Sequence, residues 1–343
     1  MKVLIAGGCG FIGSNLSLFL KKNNYEVFSI DNLYRTGSIL NEKKLKENQI
    51  KNLRLDLKNL SKKKLNKYDI IIDCCAEPSV EASKTDLDRV INTNLIGTYQ
   101  LLKKCKKDNS HFIFMSTSRV YCINEVKNII KNKKLNEKIT CKKTIDTKFS
   151  TDAPRSIYGY TKLASEELIK EFSYLFKLKY IINRLGVIAG PGQIGKVDQG
   201  FVSLWIWRHL NKLPLKYIGF NGHGNQMRDV LHIDDLNCLI LLQIKRFKKL
   251  NNITIAVGGG VKNLISLKDL TLICQKITGN KIPFSKIKKT SPYDIPYFCT
   301  SNTLVHKLYK WKPKLNILDI MRHTLEWQKK NFHILKKYFN LSL

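Results

Sequence analysis

The chain has 343 residues, too many for one small core and enough for a dinucleotide-sized domain with a companion, so two lobes with a cleft between them are the starting expectation. No apolar run approaches the roughly 20 residues a bilayer span requires, and nine scattered cysteines without Cys-x-x-Cys or Cys/His spacing argue for reduced thiols in a cytoplasmic protein and against a metal site. The net charge of +33 raises nucleic-acid binding, but the excess is nearly all lysine spread along the chain, without arginine clusters or stacking aromatics; it reads as a solvent-facing bias that also attracts anionic ligands.

From the N-terminus, Met1 to Ala6 is apolar but is cut by glycines at 7, 8, 10 and 13, so it reads as a buried strand and not as a signal peptide. Val3-Leu4-Ile5-Ala6 runs into Gly7-Gly8-Cys9-Gly10-Phe11-Ile12-Gly13, and Asn15 to Leu20 then reads as a helix. Glycines at 7, 10 and 13 permit a tight turn, close approach of backbone to a pyrophosphate, and close packing of helix on strand, with the diphosphate at the helix N-terminus. Gly7, Gly10, Phe11, Ile12 and Gly13 are therefore candidate cofactor-binding residues. The next strand, Glu26 to Ile30, ends at Asp31. A carboxylate there hydrogen-bonds an adenosine ribose 2′-hydroxyl and repels a 2′-phosphate, which favours NAD over NADP, although Arg35 stands close enough to soften the preference. Asn32 joins Asp31 in the candidate set. After a third strand at Leu53 to Leu55, Asp56-Leu57 has two readings, a carboxylate near the adenine amine or a solvated loop acid.

Ile70 to Cys74, Phe112 to Met115 and Tyr180 to Asn183 continue the series of short apolar strands between helical stretches. Such alternation predicts an α/β fold, a doubly wound parallel sheet of Rossmann type with a smaller C-terminal substrate-binding lobe. The expected division is 1–186 for the NAD-binding domain, with later returns near 225–260, and 187–343 mainly for the substrate lobe. The polar, Lys-rich stretch 125–148 reads as an insertion packed at the rim of the site. Phe112 to Met115 ends in Ser116-Thr117-Ser118, which puts hydroxyls at the carboxyl end of the sheet, where ligands bind in such folds. In Tyr158-Gly159-Tyr160-Thr161-Lys162 the Tyr and Lys, four apart, share one helix face. A phenol with an ordinary pKa near 10 needs a neighbouring cation to act as a base near neutrality, so the pair is a candidate base with its activator.

Glycine triplet, strand-end hydroxyls and Tyr-x-x-x-Lys, in this order over nearly the whole chain, resemble the extended short-chain dehydrogenase/reductases that modify sugar nucleotides. The resemblance implies that Tyr158 takes a proton from a sugar hydroxyl while hydride passes to NAD, that Lys162 binds the ribose and lowers the Tyr158 pKa, and that Thr117 aligns the hydroxyl. Ser116 and Ser118 are then supporting residues or strand-end caps. Ala76, in Ala76-Glu77-Pro78-Ser79, falls in the family loop beside the cofactor, where Cys74 and Cys75 depart from the usual residues. Asn94 matches the helix residue that buttresses the active site, with helix capping as the competing reading. A homodimer is also implied.

Dehydratases of the family carry Thr-Asp-Glu where this chain has Thr117-Ser118-Arg119, and decarboxylating relatives keep a Glu at Arg119. Elimination needs an acid and a base beyond the Tyr, and an epimerase does not. The segments Asn183-Arg184, Val187 to Pro191, Val197 to Gly200 and Gln226-Met227-Arg228-Asp229-Val230-Leu231-His232 look most like the CDP-paratose 2-epimerase branch, which implies epimerisation at C2 of a nucleotide-linked sugar. A UDP-sugar 4-epimerase, another oxidoreductase of the same fold and a non-catalytic NAD-binding protein are the alternatives. By the same resemblance Arg228 contacts the nucleotide phosphates, which suits a guanidinium, and Gln199 and Asp294 bind substrate; a structural pair of Arg228 with Asp229 is the competing reading. His232 reads as a turn brace, and Trp205 and Trp207 as core or as the wall of a base pocket. Ser291 and Ser301 replace an Arg and an Asp of the family pattern, which leaves the base and the sugar unspecified.

Overall fold

A computed structural model describes residues 1–35, 37–79, 85–130, 140–197 and 199–340. By compactness the chain divides into two units, one of Met1–Val120, Ser156–Arg184 and Asn237–Ile255, the other of Tyr121–Arg155, Leu185–Leu236 and Ala256–Leu343.

The first unit is built on apolar strands. Numbered in chain order, β1 (Lys2–Ala6), β2 (Glu26–Ile30), β3 (Asn52–Leu53), β4 (Ile70–Asp73) and β5 (His111–Thr117) pair in parallel, and β6 (Tyr180–Leu185) and β10 (Ile253–Val257) complete a seven-stranded sheet in the order β10-β6-β5-β4-β1-β2-β3. This is the doubly wound arrangement expected from the sequence, with its order reversing between β1 and β4. Leu4, Ile71, Phe112, Phe114 and Ile182 are fully buried in one cluster under the covering helices. Each such side chain stabilises the sheet by roughly 1.5–3 kcal/mol. The register sets Ala6 level with both Ile30 and Asp73, so the ends of β2 and β4 flank the glycine turn.

Helix α1 (Phe11–Lys22) follows that turn, and α2 (Ser38–Glu47) links β2 to β3. Helix α3 (Leu87–Ile91) passes through a single π-helical turn, Asn92–Ile96, into α4 (Gly97–Asp108). The second unit holds α5 (Ile123–Asn128); α6 (Ile157–Phe176) returns to the first. Ser156 caps α6 by accepting the Gly159 N–H at 3.2 Å, a contact of the kind that contributes about 1 kcal/mol. The buried face of α6 runs through Tyr158, Lys162, Ser165, Glu166, Ile169 and Phe172, at the spacing of one helical stripe.

In the second unit, β8 (Leu215–Ile218) and β12 (Phe284–Ile287) form a parallel pair, and β9 (Met227–His232) is central to a second sheet, pairing in parallel with β7 (Val187–Ala189) and β13 (Tyr297–Phe298) and antiparallel with β11 (Leu264–Ser266). By compactness the segment Asn237–Ile255 rejoins the first unit, while β9 belongs to a separate sheet. This unit, expected to be the smaller, matches the first in chain length because residues 121–155 belong to it. Of the polar stretch 125–148, residues 131–139 lie outside the described residues. The rest is stitched to the C-terminal part: Ile145 bridges Thr300, and Ile130 packs with Met227, Tyr297 and Cys299. Trp205 and Trp207 are core, Trp207 stacking on Phe339 at 4.4 Å between centroids. All nine cysteines are free thiols, and among the described residues no helix is long and apolar enough to cross a membrane.

Candidate active site

The glycine turn is dictated by space. Gly7 has φ +69° and its N–H binds the Ile30 carbonyl at 2.8 Å; a Cβ there would lie 2.8 Å from the Cys75 Cα, and one at Gly13 would lie 2.2 Å from the Gly7 carbonyl oxygen. At Gly10 a Cβ would meet only the Gly7 oxygen, at 3.2 Å, so the outer side of the turn is open backbone. Phe11, Ile12 and Gly13 form the first turn of α1, which takes no cap from a described side chain. Its N–H groups are the donors a diphosphate needs.

Asp31 stands at this turn. Its Oδ2 accepts the Cys9 N–H at 3.0 Å and its Oδ1 the Leu33 N–H at 2.8 Å. Burial pushes the Asp31 carboxyl up from its ordinary range, and the N–H donors of Leu33, Cys9 and Gly10 pull it back. Asn32 donates to Asp56 at 3.3 Å, while Asp56 caps the 3₁₀ turn Leu57–Lys62 through the Lys58 N–H at 3.0 Å. Asp56 thus serves as a cap, and Leu57 is core. A glycine turn open on its outer side, an open helix start and a carboxylate at the end of β2 fit an adenosine diphosphate moiety.

Thr117 ends β5 and Tyr158 opens α6; their side chains are hydrogen-bonded to each other and both are at least nine-tenths buried. Burial raises the Tyr158 phenol, against which work the Thr117 hydroxyl and the charges of Arg119 and Arg35; Glu77 raises it further. Thr117 Oγ1 also accepts the Arg119 N–H at 3.2 Å. Lys162, one turn along, is buried, with Nζ 4.2 Å above the Phe114 ring and 3.4 Å from the Cys75 carbonyl. Ser116 turns the other way and donates to Glu166, whose carboxylate also grips Arg184 at 2.8–3.2 Å. That network braces β5, α6 and β6 together, and a strand-end cap is not its role.

The loop after β4 is clamped rather than loose. Asn94, in the π-helical turn, accepts the Glu77 N–H at 2.8 Å and donates to the Glu77 carbonyl at 3.2 Å and to Thr161 Oγ1 at 3.1 Å. It therefore ties half-buried Ala76 and buried Glu77 to α6, and it does not cap a helix. Such π-turns recur at functional sites. The Glu77 carboxylate holds Arg35 at 3.1 Å and Arg89 at 3.5 Å, and Arg89 also reaches Asp86 and the Tyr34 hydroxyl. Sequence reading missed this cluster, and it missed Asp73, fully buried at the end of β4; a single acid closing an Ile-Ile-Ile strand was the available signal.

In the second unit Arg228 donates through Nη2 to Asp294 at 3.0 Å and to the Ile295 carbonyl at 2.5 Å, and through Nη1 to the Met227 carbonyl at 2.8 Å. For the competing reading, a structural acid partner for Arg228, the acid bonded here is Asp294; Asp229 projects from the opposite face of β9 and accepts the Gly260 N–H at 2.9 Å. Gln199 closes a tight turn with Lys196. His232 braces the start of the helix Ile233–Arg246 by accepting the Asp234 N–H at 3.0 Å.

A family model described as the NAD dependent epimerase/dehydratase family matches residues 3–258. The chain is similar to the CDP-paratose 2-epimerase of Salmonella typhi, at 26% identity covering 95% of this chain and 99% of that one. It is similar also to the UDP-glucuronate 4-epimerase of Thermodesulfobacterium geofontis, at 27% identity covering 97% and 98%. Among solved structures, a variant of the UDP-glucuronic acid 4-epimerase of Bacillus cereus, in complex with UDP-4-deoxy-4-fluoro-glucuronic acid and NAD, matches with a TM-score of 0.81 at 26% identity, covering 96% of this chain and 99% of that one.

Proposed function

Because the chain belongs to the NAD-dependent epimerase/dehydratase family, and so works on nucleotide sugars with NAD, we propose that it inverts carbon 2 of its substrate by transient oxidation to the keto-sugar and return of the hydride to the other face. The observation that favours inversion over elimination is the Thr117–Tyr158 hydroxyl pair followed by Ser118 and Arg119, with no carboxylate there; the choice of carbon 2 is supported by the likeness to the CDP-paratose 2-epimerase. Elimination of water needs a further acid and base beside the reacting carbon; inversion needs only a proton acceptor, an aligning hydroxyl and a hydride exchanger.

The chemistry NAD supplies when bound is the reversible acceptance of a hydride from the carbinol carbon. Its adenosine end is assigned to Gly7, Gly10, Phe11, Ile12, Gly13, Asp31, Asn32, Asp56 and Leu57, and its ribose and nicotinamide end to Ala76, Tyr158 and Lys162. Tyr158, as phenolate, takes the hydroxyl proton as the C–H bond breaks and gives it back to the ketone oxygen on return, so protons balance over the cycle. Thr117 holds the same oxygen in line. The positive charges near Tyr158 favour the phenolate that burial opposes, so the rate rises with pH through that ionisation. Arg228, its guanidinium held by Asp294, is assigned to the nucleotide diphosphate, with Gln199 and Asp294 as further substrate contacts. A homodimer in the cytoplasm completes the reading; the free cysteines agree with a reducing compartment.

Inversion at C4 of a UDP-sugar is the second reading, supported by the likeness to the UDP-glucuronate 4-epimerase and served by the same three side chains. Substrates deuterated at C2 or C4, CDP-paratose and UDP-glucuronate first, separate the two. Inversion at C2 with the deuterium retained supports the proposal. Inversion at C4 selects the second reading, and loss of label to solvent contradicts hydride return altogether.

A further inference from the structure

Asp73 is a buried charge that the mechanism above does not use. Asp73 is 0% exposed and ends β4 level with Ala6 and Phe114, at the point where the strand order of the sheet reverses. A carboxylate is costly in such a place unless it is hydrogen-bonded and faces a cation. Its Oδ1 accepts the Cys75 N–H at 2.9 Å and its Oδ2 accepts the Thr98 hydroxyl at 2.7 Å. The Cys75 carbonyl in turn accepts Lys162 Nζ at 3.4 Å. One side chain therefore fixes the main-chain turn that presents an oxygen to the buried ammonium.

We propose that Asp73 is a positioning residue for Lys162: its buried carboxylate holds the Cys75 main chain, whose carbonyl takes the ammonium, and it places negative charge behind that contact. The inference rests on the reading of Lys162 as the partner of Tyr158. Burial pushes the Lys162 ammonium down, and Asp73 is the largest influence opposing it, ahead of Cys75, Cys74 and Glu166, the other groups that face it. Burial likewise pushes Asp73 up, and Lys162 is the first influence pulling it back, followed by the Thr98 hydroxyl and the Cys75 N–H. A neutral amide of the same shape keeps a carbonyl oxygen for the Cys75 N–H but loses the charge, which isolates the electrostatic role.

The test titrates Lys162 in the full chain with its retained dinucleotide, following the ¹³Cε resonance of labelled lysine, assigned by its loss in Lys162→Arg. In Asp73→Asn the midpoint falls by about one unit or more, a roughly tenfold change in the protonation equilibrium. In Thr98→Val, which keeps the carboxylate and removes one donor to it, the midpoint falls by less; Asp73→Glu restores it. An unchanged midpoint in folded Asp73→Asn overturns the proposal, and if that variant does not fold, an unchanged midpoint in Asp73→Ser, which also removes the charge, does so. The titration needs no turnover, so it fails separately from the epimerase reading, which the fate of deuterium decides.

Discussion

Gly159 lies one residue beyond the proposed base, and its replacement by alanine tests how tightly Tyr158 is held. A Cβ there would fall 2.1 Å from the Arg119 carbonyl oxygen and 2.9 Å from its carbon, both main-chain atoms with no rotamer to swing aside. Ordinary contact begins at 3.4 Å, so α6 and the 118–120 turn must separate by about 1.3 Å. The Arg119 N–H is tethered to Thr117 Oγ1 at 3.2 Å, so the recoil falls on the Thr117–Tyr158 pair. Misplacement of reacting groups by 1 Å costs on the order of 100-fold in rate. Gly159→Ala should therefore lower kcat about 100-fold with little change in KM, since binding contacts away from the reacting carbon are untouched. Overpacking costs about 1–3 kcal/mol, and alanine in a helix returns up to about 1 kcal/mol, so a melting temperature a few degrees lower is expected. Epimer formation is followed by proton NMR, with bound dinucleotide and thermal melting measured on the same sample. A folded Gly159→Ala protein turning over at the wild-type rate refutes the claim that this contact sets the geometry.

Three other outcomes are expected. Tyr158→Phe removes the proton acceptor and should cost about 10²–10⁴-fold in turnover while the dinucleotide stays bound, which mass spectrometry of the variant checks. Asp31→Ser removes the charge that repels a 2′-phosphate, so NADP should compete for the site; equal exclusion of NADP by the variant would remove Asp31 from that role. His232 is held down from 6.5 to about 4 by burial, so between these values the unfolded chain binds the proton and the folded one does not. Its contribution is intact above pH 6.5 and is lost as pH falls towards 4, to about 3 kcal/mol at most. Denaturation midpoints at neutral pH and in mild acid should diverge less in His232→Asn than in the wild type.

The doubly wound sheet was legible because its strands are short apolar runs buried on both faces, and a run such as Ile70-Ile71-Ile72 has few other uses. The glycine turn and the Tyr158/Lys162 spacing were legible because each depends on neighbours within a few residues. What escaped were pairings across the chain. Glu77 meets Arg35 across 42 positions, and Ser116 meets Glu166 across 50. The sequence offers many acids and bases for such contacts, and only the register of the strands selects among them. Arg228 illustrates the point: Asp229 is adjacent in sequence but projects from the other face of β9, so the partner is Asp294. An apolar strand at 227–232 likewise does not say which sheet it joins.

The central claim is that this chain recycles its own hydride, and the most direct test is to denature the purified protein and identify what it releases by mass spectrometry. NAD at about one molecule per chain is the expected result, because an enzyme that returns its hydride within each turnover has no need to exchange cofactor. A co-released sugar nucleotide would also name the substrate. Protein that folds fully, retains no dinucleotide and turns over only with added, stoichiometrically consumed cofactor would contradict the account.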